Sequence, residues 1–299
     1  MIQTPTLRQL QYFVALSDHL SFIRAAEACN VTQSTLSGGL KDMENLLKET
    51  LFDRSSRGVS MTKTGQALLA PARDILARAE EFVHMANQRR DPLTGPLTLG
   101  IIPTIAPYLL PTLLPALQRQ FPQLQLQLRE DITPRLADAL ERGQVDAVLM
   151  AFPYDLNHAT MMGLWHEPFL IASPRANAKR FEMAHIDAMA GEDVLLLDDG
   201  HCLRDHAMAA CRLQPASRRK TFGATSLPTL IQMVQHGYGL TLLPAMAIEF
   251  GTLPKGVSIN RFANPQPSRE IGLAWRENSP REKEFRLLGD FIVKSAAPR

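Results

Sequence analysis

The stretch SFIRAAEACNVTQSTLSGGLKDMENLL, residues 21–47, decides how this chain is read. Phe22, Ala25, Ala26 and Cys29 recur at i, i+3, i+4 and i+7, one face of a helix, and the two alanines let a neighbouring helix come close. Asn30 breaks that pattern. Thr32 is placed to cap a following helix whose inward stripe is Leu36, Leu40, Met43 and Leu47, leaving Gln33, Ser34, Ser37, Gly38 and Lys41 on the other side. Two short helices on a tight turn, the second opening with small polar side chains, predict a helix-turn-helix over roughly residues 22–41. Such a face suits a DNA major groove, because Gln bonds adenine edges, Ser and Thr bond bases or phosphates, and Lys41 neutralises a phosphate. The plainer alternative is a three-helix core with an ordinary polar face.

Working outward, Thr6 precedes Leu7, Leu10 and Phe13–Val14, with Gln9 where a capping box needs it, so a first helix starts there. LFDRSSRGVSMT, residues 51–62, reads as a hairpin tipped by Ser55–Gly58 that presents Arg54 and Arg57, as a basic wing beside the groove requires. From Thr64 to Gln88, residues Leu68, Ala72, Ile75, Ala79, Phe82 and Ala86 alternate spacings of four and three, the seam of two paired helices, with Pro71 a candidate kink. An ordinary amphipathic helix fits the same residues. Charge does not help: residues 1–90 hold 11 Lys and Arg against 9 Asp and Glu.

After RRDPLTGP, residues 89–96, strands and helices alternate. LTLGII (97–102), VDAVLM (145–150), FLIAS (169–173), DVLLL (193–197), GLTLL (239–243) and IGLAW (271–275) are apolar strand runs; helices are expected near Pro107–Gln120, Pro134–Arg142 and in the closing EKEFRLLGDFIVK. The pattern predicts an α/β domain with mostly parallel sheets.

The segment DDGHCLRDHAMAAC, residues 198–211, holds Cys202 and Cys211, two of only three cysteines in 299 residues. The opening MIQTPTLRQL lacks a signal-peptide pattern and no run approaches about 18 apolar residues, so a soluble cytoplasmic protein is expected, where permanent disulfides are disfavoured. If Leu203, Ala207 and Cys211 stripe one helix, the two sulfurs are separated by about 13.5 Å of rise and about 900° of rotation, on opposite faces. A disulfide needs Cα atoms within about 7 Å, so these cysteines bridge only if the helix unwinds. Cys202, after the turn Asp198–Gly200, is placed at a helix N-terminus that favours thiolate, with His201 and Arg204 adding positive character and Asp205 available to orient them or deliver a proton. Two inert buried thiols are the alternative. Cys29 reads as packing, Thr225–Ser226 as a helix cap and Asp198–Asp199 as turn residues rather than a metal site. Neither HExxH, GxSxG nor a phosphate-binding GxxxxGK[ST] loop is present, so neither a metal nor another cofactor is expected.

LRQLQYFVAL, SFIRAAEACNVTQSTLS, LFDRSSRGVSMTKTG and the long helix after them resemble the N-terminus of LysR-type transcriptional regulators. Gly38 stands where many members carry arginine, so one contact to DNA is not carried over. LLLDDGHCLRDHAMAAC and ATSLPTLIQMVQHGYGLTLLP resemble the sensor region of the peroxide-responsive members of that family. The resemblance implies a winged helix-turn-helix domain over 1–63, a dimerising linker helix over 64–90 and an effector domain over 91–299. The effector domain would comprise two Rossmann-like, periplasmic-binding-protein-like subdomains, about 96–168 with 270–299 and about 169–269. Thr32, Gln33, Ser34, Thr35, Ser37, Lys41, Arg54 and Arg57 would meet DNA. The resemblance makes Cys202 the peroxidatic and Cys211 the resolving cysteine of a redox-active disulfide, with Thr104, Thr133, His201, Asp205 and Arg269 around the peroxide. It implies an activator rather than an enzyme, working as a dimer of dimers on promoter DNA with RNA polymerase, and reset by glutaredoxin or thioredoxin. Two rivals remain: a LysR-type regulator answering a metabolite in the cleft between subdomains, and a thiol peroxidase.

Overall fold

The computed structural model describes residues 4–55, 58–86, 92–189, 191–210, 224–249 and 253–296. The chain forms two compact units, residues 1–90 and 91–299.

In the first unit, helix α1 (Leu7–His19) opens on the capping box: Thr6 Oγ1 accepts from the Gln9 amide while Gln9 Oε1 accepts from the Thr6 amide. Helix α2 (Phe22–Ala28) ends before Asn30, whose φ of +52° turns the chain, and α3 (Gln33–Leu47) starts under the Thr32 cap, which accepts from the Thr35 amide at 3.2 Å. Phe13, Leu16, Ala25, Ala26, Leu36, Leu40 and Met43 form the core between them. Strands β1 (Phe52–Ser55) and β2 (Gly58–Met61) pair antiparallel with Ser55 opposite Gly58, the expected hairpin.

Helix α4 (Lys63–Ala86) runs through Pro71 and packs against α1. Its expected seam is divided. Ala72 is buried in the unit's own core and Leu68 packs on its rim, whereas Ile75 and Phe82 are 47% and 74% exposed. The first turns of α4 are therefore used inside the protomer, because α1 presents them an apolar face.

The second unit runs β3 (Gly95–Ile101), α5 (Ala106–Gln120), β4 (Leu124–Glu130), α6 (Thr133–Glu141), β5 (Ala147–Phe152), β6 (Ala159–Pro174), β7 (Val194–Leu195), α7 (Cys202–Ala210), α8 (Leu227–Gln235), β8 (Leu240–Pro244), α9 (Ala245–Glu249), β9 (Val257–Arg261), β10 (Ser268–Arg276) and α10 (Glu282–Ala296). The sheet order is β4-β3-β5-β10-β6-β8-β7, with β9 also on β6. Strand β6 belongs to both halves of the unit: through Pro168 it pairs with β10, and from Phe169 on it pairs with β8 and β9. The result is two Rossmann-like α/β halves sharing one long strand. The expectation of mostly parallel sheets is corrected. Only β3–β4, β3–β5 and β7–β8 are parallel among the described ladders, because the strands that pass between the halves run against their neighbours.

Two adjacent glycines in α3 separate packing from propensity. A Cβ on Gly39 would stand 2.8 Å from the Tyr12 ring of α1, while one on Gly38 would meet nothing within 4 Å. Gly39→Ala should therefore lower the urea midpoint of the first unit. Gly38→Ala should raise its stability by about 0.5–1 kcal/mol through the lower backbone entropy of the unfolded chain, and equal effects from the two variants would contradict this packing.

A candidate redox site around Cys202

The turn that presents Cys202 is set by backbone. Leu197 bridges to Ala224, the Asp198 amide donates to the Ala224 carbonyl at 3.0 Å, and Gly200 takes a φ of +92° that a side chain would strain. The next helix then begins at Cys202, so the sulfur lies at the positive end of α7.

Facing it from the other half is a polar network with almost no water access. Arg269 on β10 and Glu167 on β6 are cross-strand partners, both fully buried in their side chains. Arg269 donates from Nε to Glu167 Oε2 at 2.8 Å, and its Nη2 lies at the same ion-pair distance from that oxygen. Its Nη1 donates to Thr104 Oγ1 at 2.9 Å and its Nη2 to the Thr104 carbonyl at 3.2 Å, just beyond β3. The other Glu167 oxygen accepts from the Met246 amide of α9 at 2.8 Å.

Cys202 is 5% exposed. Burial pushes its thiol above the ordinary value, against the Arg269 guanidinium, the Thr133 hydroxyl and the Ala151 backbone, which all favour the thiolate; Asp205 opposes it. Thr133 Oγ1, at the start of α6, closes no hydrogen bond within normal geometry, yet lies near enough to the sulfur to favour its charged form. The expected low-pKa thiolate is thus corrected: the helix end and its polar neighbours are in place, but desolvation outweighs them.

His201 is buried with Nδ1 unpartnered, and burial lowers its pKa against the nearby Asp198 carboxylate, so it is a neutral ring rather than the expected cation. Arg204 is ion-paired with Asp199. Asp205 is exposed and acts on the sulfur only through its charge. Two neighbours had no sequence signal: Glu167, hidden in the polar stretch WHEP, and His206, whose Nε2 donates to the Pro153 carbonyl at 2.9 Å. Cys211 and Arg57 lie outside the described residues, as does the Arg54 side chain. On the first unit, Gln33, Ser34, Thr35 and Lys41 are exposed and Ser37 is half-buried; the exposed Thr32 hydroxyl is engaged with Ser34 and Thr35. Among the described residues no group of His, Cys, Asp and Glu is gathered as a metal ion requires, and no helix is long and apolar enough to cross a membrane.

The profile of bacterial regulatory helix-turn-helix proteins of the LysR family matches residues 7–66, and that of the LysR substrate binding domain matches residues 90–297. The chain is a LysR-type transcriptional regulator. The regulator is 40% identical over 290 residues to a hydrogen peroxide-inducible genes activator of Escherichia coli, with 96% of this chain and 94% of that protein covered. It is 36% identical over 299 residues to the HTH-type transcriptional regulator EstR of Acinetobacter baylyi, with 99% of each covered. It is similar to the solved structure of a full-length OxyR with a cysteine-to-aspartate substitution from Pseudomonas aeruginosa, at a TM-score of 0.82 and 33% identity over 99% of this chain and 100% of that one. Since regulators of differently named roles match over nearly the same length, overall identity does not choose the input signal, and the chemistry at Cys202 must.

The buried pair gives a direct test. Glu167→Gln keeps an acceptor for Met246 but leaves the Arg269 charge unpaired, which should cost about 3–5 kcal/mol in urea unfolding of the regulator. A loss below about 1 kcal/mol, the range of exposed pairs, would mean that solvent reaches Arg269.

Proposed function

We propose that the regulator is a peroxide-sensing activator that takes hydrogen peroxide in at Cys202 and returns a change in promoter binding. The observation that carries this is a single buried thiol at a helix start, set against a buried guanidinium and a buried threonine hydroxyl that favour its charged form. The name of the Escherichia coli relative supports the same input.

In this reading Thr104, Thr133, His201, Asp205 and Arg269 surround the peroxide. The Cys202 thiolate attacks one oxygen, the O–O bond breaks, and the departing hydroxide takes a proton to leave as water, giving a sulfenic acid. Arg269, Thr133 and the Ala151 backbone hold the negative charge while it exists on sulfur. Cys211 then attacks the sulfenic sulfur, and a second water leaves as the disulfide forms. Since α7 carries the chain about 12 Å from Cys202 to Ala210, against the roughly 7 Å that a disulfide spans, this step needs the helix to come apart. Glutaredoxin or thioredoxin reduces the bond again.

On the output side Thr32, Gln33, Ser34, Thr35, Ser37, Lys41, Arg54 and Arg57 meet the operator, with the wing beside the groove. Ile75 and Phe82, exposed on α4, pair with another copy, and two such dimers form the tetramer that binds promoter DNA in the cytoplasm beside RNA polymerase. The protein consumes one peroxide per switching event and is not a peroxidase.

Non-reducing peptide mapping after micromolar peroxide should show a Cys202–Cys211 crosslink, and Cys202→Ser should abolish peroxide induction of a reporter. Induction that survives Cys202→Ser, with no crosslink in the native chain, would point to a metabolite input. Sustained peroxide removal with a supplied reductant would point to an enzyme. Because the thiol is held above its ordinary value of 9.0, the rate of Cys202 oxidation should rise about tenfold per pH unit and go on rising past pH 9; a plateau near pH 6 would contradict the burial argument.

A further inference from the structure

Cys202 can reach its partner only when α7 lets go, so the contacts that hold α7 against the rest of the effector domain decide how quickly an oxidised sulfur is resolved. Most of α7's inward face is apolar: Leu203 and Ala207 are buried. His206 is the exception. It is buried on the second turn of α7, and its Nε2 donates to the Pro153 carbonyl at 2.9 Å. Pro153 follows β5, in the half of the unit opposite the one from which α7 springs.

We propose that His206 is a positioning residue of the redox switch: the hydrogen bond from its ring to the Pro153 carbonyl latches α7 to the first half and limits the release of oxidised Cys202 to Cys211. This rests on the reading of Cys202 and Cys211 given above.

The latch is specific to the neutral ring. The Pro153 carbonyl can only accept, so Nε2 carries the proton, and Nδ1 is buried with no partner. Protonating Nδ1 would add a donor with no acceptor. The charged groups that act on the ring are the Arg269 guanidinium from β10, itself paired with Glu167 on β6, and the Asp205 carboxylate of α7; Cys202 lies one turn earlier on α7, and Tyr154 follows Pro153 in the chain. Burial is the largest influence and lowers the His206 pKa; Arg269 lowers it further, while the Pro153 carbonyl and Asp205 raise it. A ring freed by unwinding returns to about 6.5. The latched state is therefore favoured above that pH, and its advantage is lost as the pH falls below it, when the released ring takes up a proton that the latched ring refuses. Acid loosens the latch.

Two substitutions separate holding from titrating. His206→Gln keeps an N–H donor for the carbonyl without a group that titrates in this range; His206→Leu removes the donor and leaves the carbonyl unpaired. With stopped-flow peroxide and quenched samples, sulfenic acid at Cys202 is read by a trapping reagent and the Cys202–Cys211 crosslink by non-reducing mapping. His206→Leu should speed crosslinking of the sulfenic form about three- to tenfold, the equivalent of one hydrogen bond, with the effect confined to that step, and His206→Gln should restore the native rate at pH 7.5. The ratio of native to His206→Gln crosslinking rates should rise as pH falls from 7.5 to 5.5. Crosslinking equally fast in the native and Leu proteins, or a flat native-to-Gln ratio, would overturn the latch. If the Leu protein does not fold, that ratio decides. A native chain that forms no crosslink at all overturns the functional reading itself, whereas crosslinking insensitive to position 206 overturns only this inference.

Discussion

Two opposite charges with no exposed side-chain surface, Arg269 and Glu167, hold the effector domain's centre in place. Neither tolerates the interior alone, so each fixes the other, and their remaining polar atoms fix the backbone around them. Through Arg269 the pair reaches Thr104 beyond β3; through Glu167 it reaches the Met246 amide at the start of α9. One ion pair thus positions elements from both halves of the sheet, and the sulfur of Cys202 is set within reach of its positive end.

That placement creates a contest on the sulfur. The guanidinium, the Thr133 hydroxyl and the Ala151 backbone all favour charge, and burial disfavours it more strongly. The resting thiol is consequently held protonated in surroundings already arranged for the anion. With Cys202 only 5% exposed, reactivity of this kind depends on what can reach the sulfur.

The parts legible in the sequence are those with local causes. The capping box at Thr6, the Thr32 cap, the stripe Leu36–Leu40–Met43 and the hairpin across Ser55–Gly58 are each decided within a few residues, and the structure has them where the spacing put them. The position of Cys202 at a helix start was legible for the same reason. Its ionisation was not, because it is settled between burial, which raises it, and Ala151 of β5, Thr133 of α6 and Arg269 of β10, which lower it and are all distant in sequence. The first part of β6 escaped notice because Gly163 and the charged Glu167 interrupt its apolar run; Glu167 is tolerable there only because Arg269, 102 positions later, lies opposite. Likewise the seam on α4 was visible as periodicity, but its division between Ala72 inside and Phe82 outside depends on where α1 lies.

Strand β6 passes from one half of the effector domain to the other as sixteen extended residues, with a bulge at Leu164 and hydrogen bonds on both sides of the transition. A connection of that kind resists bending like a plank and yields chiefly in torsion, whereas paired loops swing like a door. Wide gaping of the two halves is therefore mechanically costly. A chemical event in their midst travels outward more readily by local rewiring of a short helix than by leverage across the whole domain.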